Sequence, residues 1–150
     1  MIVIIALMTL LIGIVMMIFV INKTPFSQPK PSDFSLQINY DEKRHTVIAE
    51  LYNFSDHDYT IMANGAKTDF IQFHILCDST EIPSNQLLLL STIVFPKNSC
   101  IKRELSLNDA ALSGKCKIYA ETAFYINDPD TSEKYEFKLT SDSVNITLSK

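Results

Sequence analysis

The chain has 150 residues, which fits about one domain, and its formal net charge is −4 at pH 7. This charge argues against nucleic acid as a partner, because a protein that binds phosphate backbones needs a basic face. It also argues against a domain that lies on an anionic lipid surface. The chain has three glycines and no glycine-rich loop that could cradle a phosphate group.

The first segment, Met1–Ile21, carries no charge, and its least apolar members are Thr9 and Gly13. At about 1.5 Å of rise per residue, a helix of this length crosses the roughly 30 Å hydrocarbon core of a bilayer. A buried core helix would need an apolar stripe rather than an apolar cylinder. The run is too long for a signal-peptide core, nothing basic precedes it, and no small-residue cleavage site follows. We therefore predict an uncleaved transmembrane anchor.

Residues 22–33 form a predicted linker, because Pro25, Pro29 and Pro31 disfavour a helix and favour an extended chain. At about 3.1 Å per residue, such a linker would hold the domain up to roughly 35 Å from the bilayer. Lys23 and Lys30 follow the apolar segment and nothing basic precedes it. The positive-inside rule alone would therefore place the C-terminal domain in the cytoplasm.

Seven segments beyond the linker are predicted to be β-strands: six show two-residue alternation, and 86–95 is apolar on both faces, which indicates a central or covered strand. They are 33–40, 46–53, 70–77, 86–95, 99–107, 116–126 and 135–148. In the last segment, the runs ending at Leu139 and beginning at Val144 are out of phase, which predicts a bulge near residues 140–143. We predict that residues 34–150 form an all-β, immunoglobulin-like seven-strand antiparallel sandwich, preceded by one N-terminal transmembrane α-helix.

Three short motifs stand at strand ends or turns of this pattern: Asn53-Phe54-Ser55, Pro96-Lys97-Asn98-Ser99 and Gly114-Lys115-Cys116. They resemble small bacterial immunoglobulin-like modules, such as the β-sandwich of deuterolysin-type propeptides and of some proteinase-inhibitor domains. Those modules often have Pro-Gly-x-Ser and Gly-x-Tyr at the second and third motifs, so that glycine and that tyrosine are replaced here. The resemblance covers about residues 34–148. It implies the fold and carries over no functional residue.

The chain has three cysteines. In the immunoglobulin-like order, the third strand ends where the sixth begins, and the two strands are neighbours in one sheet. Cys77 closes the third strand and Cys116 opens the sixth, both on the apolar face, so we predict a disulfide between them. This bond would favour an oxidising compartment. The alternative is that both cysteines and Cys100, which is predicted to be unpaired, are small buried hydrophobic residues.

No motif of catalysis is present: neither G-x-S-x-G nor H-E-x-x-H occurs, and no CxxC pair accompanies the histidines to form a zinc site. His45, His57 and His74 are scattered along the chain. We therefore predict no enzyme activity, no cofactor, no metal site and no small-molecule substrate.

Six carboxylate side chains are predicted to form a cluster. In the predicted topology, three loops gather at one end of the sandwich, which is also the end where the linker enters. They would form an acidic loop surface from Asp56, Asp58, Asp69, Asp128, Asp130 and Glu133. Such a surface could bind a basic protein, or Ca²⁺ through oxygen ligands. The alternative is a solvated loop face with no partner.

Together these features predict a single-pass protein of the bacterial inner membrane, in contact with lipid through Met1–Ile21, whose C-terminal domain is exported. The predicted function is a non-catalytic envelope protein whose sandwich binds another protein. One version is an inhibitor or immunity-type protein, anchored where a toxin or a protease would act. The alternative is a structural subunit of a membrane complex, assembled through the helix and the domain, for which Gly13 offers one small-residue contact.

Overall fold

The structure is a computed structural model that describes residues 26–65, 67–78, 80–82, 90–108 and 112–148. The predicted transmembrane segment Met1–Ile21 lies outside the described residues, as does the start of the predicted linker. Within the ranges that are described, no helix has the length and apolar character needed to cross a membrane.

Nine β-strands and one short 3-10 helix are formed by the described residues. In chain order they are the 3-10 helix Pro31–Asp33, β1 (Phe34–Asp41), β2 (Thr46–Asn53), β3 (Tyr59–Asn64), β4 (Ile71–Cys77), β5 (Thr80–Ile82), β6 (Leu90–Phe95), β7 (Ser99–Ser106), β8 (Gly114–Asn127) and β9 (Lys134–Leu148). Every strand pairing is antiparallel, so the all-β antiparallel prediction is confirmed.

The predicted number of strands is too small, because β3 and the three-residue β5 were not recognised. β3 alternates as a strand should, with Tyr59, Ile61 and Ala63 buried. It is short, however, and it lies between a polar loop and the turn at Gly65. In the sequence, the loop, the strand and the turn therefore look like one long connection.

Two sheets form a sandwich. The smaller sheet has the order β1-β2-β7, with β2 in the centre. In the larger sheet, β9 pairs along one edge of the long strand β8, and β3 and β4 follow one another along the other edge. β6 then adds to β3, and β5 adds to β4.

The interruption between β3 and β4 is held together by an arginine from the opposite sheet. Gly65 turns the chain there with φ +113°, and an added Cβ would lie 2.9 Å from backbone atoms of Asp69 and Phe70. The Nη1 atom of Arg103, on β7, donates to the carbonyl oxygens of Asp69, at 3.0 Å, and of Ile71. The guanidinium therefore satisfies carbonyl groups at the point where regular pairing stops.

The core lies between the two sheets and comes from the inward-facing alternate residues of the strands. Its fully buried members include Val47, Leu51, Ile61, Ile71, Phe95, Ile118, Phe124 and Ile126. Phe34 contributes an aromatic cluster, with its ring centroid 5.2 Å from that of Phe124 and 4.9 Å from that of Phe137. The removal of this apolar surface from water is the main driving force for the fold.

The predicted bulge near residues 140–143 is confirmed. Tyr119 pairs with Ser143 and Glu121 pairs with Thr140, so two residues of β9 face one residue of β8. The hydroxyl oxygen of Ser141 accepts the backbone N–H of Ala120 at 2.9 Å. A side chain thus replaces the ladder hydrogen bond that the bulge removes.

Candidate functional site

Three connections meet at the end of the sandwich where β2 ends and β3 begins. They are the β2–β3 loop 54–58, the β6–β7 turn 96–98 and the β8–β9 loop 128–133. The strand register places them together, because Tyr59 pairs with Phe95, and Ile61 pairs with Ile126. We call these connections, with residues 26–33 beside them, the acidic end.

The buried side chain of Asn53 organises this end. Its Nδ2 donates to the carbonyl oxygens of His57, Phe95 and Pro96 at 3.1, 3.2 and 3.0 Å. Its Oδ1 accepts the backbone N–H of Ser55 at 3.0 Å and the Ser55 hydroxyl at 2.7 Å. One fully buried amide therefore fixes the β2–β3 loop against the β6–β7 turn.

Two of the predicted carboxylates lie on the β2–β3 loop. Asp58 accepts the backbone N–H of Lys97 at 2.8 Å, which ties the loop to the neighbouring turn. Asp56 lies 2.9 Å from Nε2 of His57, and its side chain is 86% exposed. Asp58 is thus partly used in holding the loop, whereas Asp56 is open to solvent.

The β8–β9 loop is built around Asp128. Its carboxylate accepts the backbone N–H of Asp130 at 2.8 Å, and both the backbone N–H and the hydroxyl of Thr131, at 3.3 and 2.8 Å. The hydrogen bond from the Asp130 backbone is the main reason that the pKa of Asp128 is lowered. Asp128 therefore has a structural role in the loop, while Asp130 and Glu133 are exposed.

Aromatic rings join these loops to the N-terminal segment. The ring centroid of Phe26 lies 6.4 Å from that of Tyr59 and 6.2 Å from that of Tyr135. The Tyr135 hydroxyl donates to Glu133 at 2.7 Å, and this bond raises the pKa of Tyr135 to about 12. Tyr59 is buried, and burial raises the pKa of its hydroxyl.

The described part of the predicted linker, residues 26–33, does not extend away from the domain. Phe26 packs on the tyrosines, Pro29 is buried, and Pro31–Asp33 form a 3-10 helix. The Asp33 carboxylate closes this turn by accepting the Lys30 backbone N–H at 2.8 Å. Proline suits the first position of such a helix, where no N–H is needed. The contact surface of the domain therefore begins at Phe26.

The structure brings five of the six predicted carboxylates to the acidic end and places Asp69 elsewhere. Asp69 lies in the turn between β3 and β4, so the whole of β3 separates it from Asp58. There its carboxylate lies 3.4 Å from Nη2 of Arg103. The predicted position assumed a single loop before β4, and the unrecognised strand β3 divides that connection.

Across the described ranges, no group of three or more His, Cys, Asp or Glu side chains is placed to hold a metal ion. The acidic end presents exposed carboxylates on loops that are fixed by hydrogen bonds. Asp56, Asp130 and Glu133 are exposed negative charges on this framework, and the backbones of Asp130 and Glu133 are themselves held by hydrogen bonds within the β8–β9 loop. Such an arrangement suits contact with a positively charged macromolecule.

The predicted cysteine pairing is present in the structure. Cys77 and Cys116 are directly opposite one another on β4 and β8, with a Cα–Cα distance of 4.1 Å, and their sulfur atoms are bonded. Cys100 is a free thiol on β7, next to Tyr52 of β2. Burial is the main cause of its raised pKa, so this thiol is not activated for nucleophilic chemistry.

One histidine cluster was not found by the sequence analysis, because its members come from three strands. The ring of His74 stacks on Tyr119 at 4.8 Å. Its Nδ1 and Nε2 atoms lie 3.5 Å from Glu81 and 3.2 Å from Glu121. Among the described residues, no hydroxyl or thiol is hydrogen-bonded to this ring.

Comparison of the chain with protein-family models, curated proteins and solved structures gave no match. The likeness to bacterial immunoglobulin-like modules therefore stays a prediction. Within this structure its motifs have local roles: Asn53 holds two loops, Asn98 turns the β6–β7 connection with φ 49°, and Gly114 has φ +90° beside Asp78.

Proposed function

We propose that this chain is a membrane-anchored, non-catalytic protein whose β-sandwich binds another protein through the acidic end. The proposal is supported by the hydrogen bonds that fix the loops on which the exposed carboxylates lie. Asn53 and Asp128 hold the loops internally, and Asp56, Asp130 and Glu133 remain exposed on them. Loops ordered before binding lose little conformational entropy when a partner docks, which favours a recognition surface.

We also propose that the sandwich is immunoglobulin-like. The order β1-β2-β7 corresponds to the A-B-E side of that fold. β9, β8 and the consecutive strands β3 and β4 correspond to its G, F and C strands, with C divided into two. The loops of such a sandwich cluster at its ends, which is where these domains commonly bind their partners.

The partner proposed here is a protein with a basic surface, such as a toxin or a protease that the chain would inhibit at the envelope. Opposite charges on two surfaces accelerate association and contribute specificity more than affinity. The interaction should therefore weaken as the salt concentration rises, because exposed charges are screened over about 10 Å at 0.1 M salt.

The test begins with crosslinking and pull-down of the full-length protein from membranes of its own cells and from competitors. A captured partner is then measured against the triple variant Asp56→Asn, Asp130→Asn and Glu133→Gln. The matched control, Glu42→Gln, Glu104→Gln and Asp142→Asn, removes three exposed charges away from the acidic end. We expect the first variant to bind the partner at least tenfold more weakly. The control variant should bind it as tightly as the unsubstituted protein does. Equal binding by both variants would overturn the proposal.

The anchor and the exported position of the domain are part of the same proposal. The Cys77–Cys116 pair supports an oxidising compartment. A protease added to intact cells after permeabilisation of the outer envelope should digest an exported domain. Protection of the domain until the inner membrane is lysed would contradict export and favour the orientation of the positive-inside rule.

The alternative, a structural subunit assembled through the helix, has one observation in its favour. Phe26 is already packed on the domain, so only residues 22–25 would separate the domain from the predicted anchor. Replacement of residues 1–21 with an unrelated transmembrane helix distinguishes the two functions. A binding protein keeps its partner after the exchange, and an assembly subunit loses its complex.

A further inference from the structure

The strand β6 lies at an edge of the larger sheet, and its outward face exposes two aliphatic side chains and carries no charge. In the described part of the chain, β6 pairs with β3 and no strand covers its other edge. Leu90 and Val94, on its outward face, are 55% and 66% exposed. Thr92, between them, is also exposed.

The other edge strands carry charges that discourage pairing with a further strand. β7 has Lys102 and Glu104 on its outward face, and β9 has Lys134, Glu136 and Lys138. β1 ends in Asp41, and β5 contains Glu81. β6 reads Leu-Ser-Thr-Ile-Val-Phe and contains neither a charge nor a proline. Exposed edges in natural proteins are usually protected by such residues, so an unprotected apolar edge indicates a covered one.

We propose that the β6 edge pairs antiparallel with β6 of a second copy of this chain, which joins two larger sheets into one. The outward face has an aliphatic residue on each side of a central threonine (Leu90, Thr92 and Val94). This order is the same when the strand is followed in the opposite direction. A two-fold axis at Thr92 places Thr92 opposite its own copy, and Leu90 opposite Val94. Cross-strand aliphatic and threonine pairs of this kind stabilise sheets, and a two-fold interface requires a self-complementary surface.

The absence of charge on β6 also favours a second copy over a basic or acidic foreign strand. The chain carries a net charge of −4, and a contact along an uncharged strand adds no local like-charge repulsion between two copies. Antiparallel pairing places the two Phe26 ends at opposite ends of the joined sheet. Two anchored chains would therefore pair with their strands lying along the membrane. This inference is independent of what the acidic end binds.

The first test is a disulfide across the two-fold axis, in the full-length protein in membranes with Cys100→Ser as background. Directly opposite residues of an antiparallel pair have Cα atoms about 4.5–5.5 Å apart, which a disulfide spans. We expect Thr92→Cys to give a covalent dimer on mild oxidation. Thr60→Cys is the matched control, because Thr60 is exposed on the same face but on β3, one strand further from the axis. At least tenfold less dimer is expected from it.

A second test reverses the interaction by charge. Thr92→Lys should abolish the dimer, because two like charges would lie opposite one another, and a mixture of Thr92→Lys with Thr92→Glu should restore it. Molecular mass measured by light scattering in detergent is the readout, and the retained Cys77–Cys116 disulfide reports that each variant is folded. Equal crosslinking of Thr92→Cys and Thr60→Cys would overturn the proposal. An unchanged dimer in Thr92→Lys would also overturn the proposal and would point to association through the anchor. A monomer that captures a different protein along β6 would overturn it as well.

Discussion

Asn53 shows how one buried polar side chain can determine the shape of a surface. It lies at the end of β2, and its amide group contacts residues from two different connections of the acidic end. A buried amide is tolerated because its donors and acceptor are all satisfied. The exposed carboxylate of Asp56 lies on the loop that this network holds, between Ser55 and His57.

Asn53→Asp is therefore expected to destabilise the domain by about 3 kcal/mol or more. The substitution keeps the acceptor for Ser55, but it removes the donor to three carbonyl oxygens and places a carboxyl group beside them. Urea unfolding of the full-length protein in detergent measures the change. Asn145→Asp, at an exposed position of β9, is the control and should change the stability little. A similar effect of both substitutions would show that Asn53 has no special role.

Glu50 provides a prediction of how the stability depends on pH. It is buried on the outward face of β2, where the Lys102 ammonium and, to a smaller extent, the Tyr52 hydroxyl lower its pKa from 4.5. A lowered pKa in the folded state means that the stabilisation is present above pH 4.5. It is lost as the pH falls through the folded-state pKa.

Glu50→Gln should cost about 1 kcal/mol of unfolding free energy at pH 7, because the Lys102 ammonium loses its ionised partner. The difference from the unsubstituted protein should shrink as the pH falls from 4.5 through the folded-state pKa. Urea titrations at several pH values measure it. Glu104→Gln, which alters an exposed pair with Arg44, serves as the comparison and should have little effect at any pH. A difference for Glu50→Gln that is constant with pH would contradict the assignment.

At the scale of elements, the long strand β8 organises the larger sheet. β9 covers one edge of it completely, and β3 and β4 share the other edge. The Cys77–Cys116 bond joins β4 to β8 at the end remote from the acidic end. Arg103 joins the same strand, β4, to the smaller sheet. β4 is thus linked to β8 of its own sheet by the disulfide and to the smaller sheet by Arg103.

The disulfide should contribute about 3–4 kcal/mol, because it connects cysteines 39 residues apart and restricts the unfolded chain. Cys77→Ala combined with Cys116→Ala removes the bond without leaving a thiol. Urea unfolding compares this double variant with Cys100→Ala, which should change the stability much less. Alkylation of the denatured protein without reductant should reveal one free thiol per chain, at Cys100. Three free thiols would show that the bond does not form in the cell.

At the scale of the whole molecule, the structure changes the relation between the domain and its predicted anchor. Phe26, at the start of residues 26–33, packs on Tyr59 and Tyr135 of the domain, so this segment does not form a spacer. A chain that leaves the domain at Phe26 would therefore keep the acidic end close to the membrane, if residues 1–21 span it as proposed. A partner of the acidic end would then meet the protein near the membrane surface.

Phe26→Ala should weaken the docking of this segment and lower the stability by about 1–2 kcal/mol, because two aromatic contacts are lost. Amide hydrogen exchange at residues 27–33 should accelerate, with little change in β8. Phe54→Ala is the matched control, since Phe54 is 54% exposed and stacks on Tyr52 alone. Unchanged exchange at residues 27–33 after Phe26→Ala would refute the docking.

The alternation of apolar and polar residues is a local property, and it predicted most strands well. β2 was predicted with its observed bounds, 46–53, because both of its faces and both of its turns are clear in the sequence. The bulge in β9 was also predicted, since a change of phase within one strand requires an extra residue. β3 was not recognised, because a six-residue strand between two polar turns contains too few repeats.

The acidic end shows the limit of the same reasoning. The structure has five of the six carboxylates in the loops of this end, but Asp69 lies elsewhere, because its predicted position assumed one connection that β3 divides. The roles of Asn53 and Phe26 were not predicted at all. Asn53 contacts Pro96, 43 residues away, and nothing in the local sequence distinguishes it from a solvated turn residue.

The sequence by itself determined seven of the nine strands of the described residues, the position of the bulge and the excess of negative charge. Each of these follows from residue type and spacing along the chain. The tertiary structure alone decided that β3 and β4 share an edge of β8, that Asn53 holds the β2–β3 loop against the β6–β7 turn and that, among the described residues, β6 is left with an uncharged edge. These features depend on contacts between residues far apart in the chain, which form only when two sheets close on a common core.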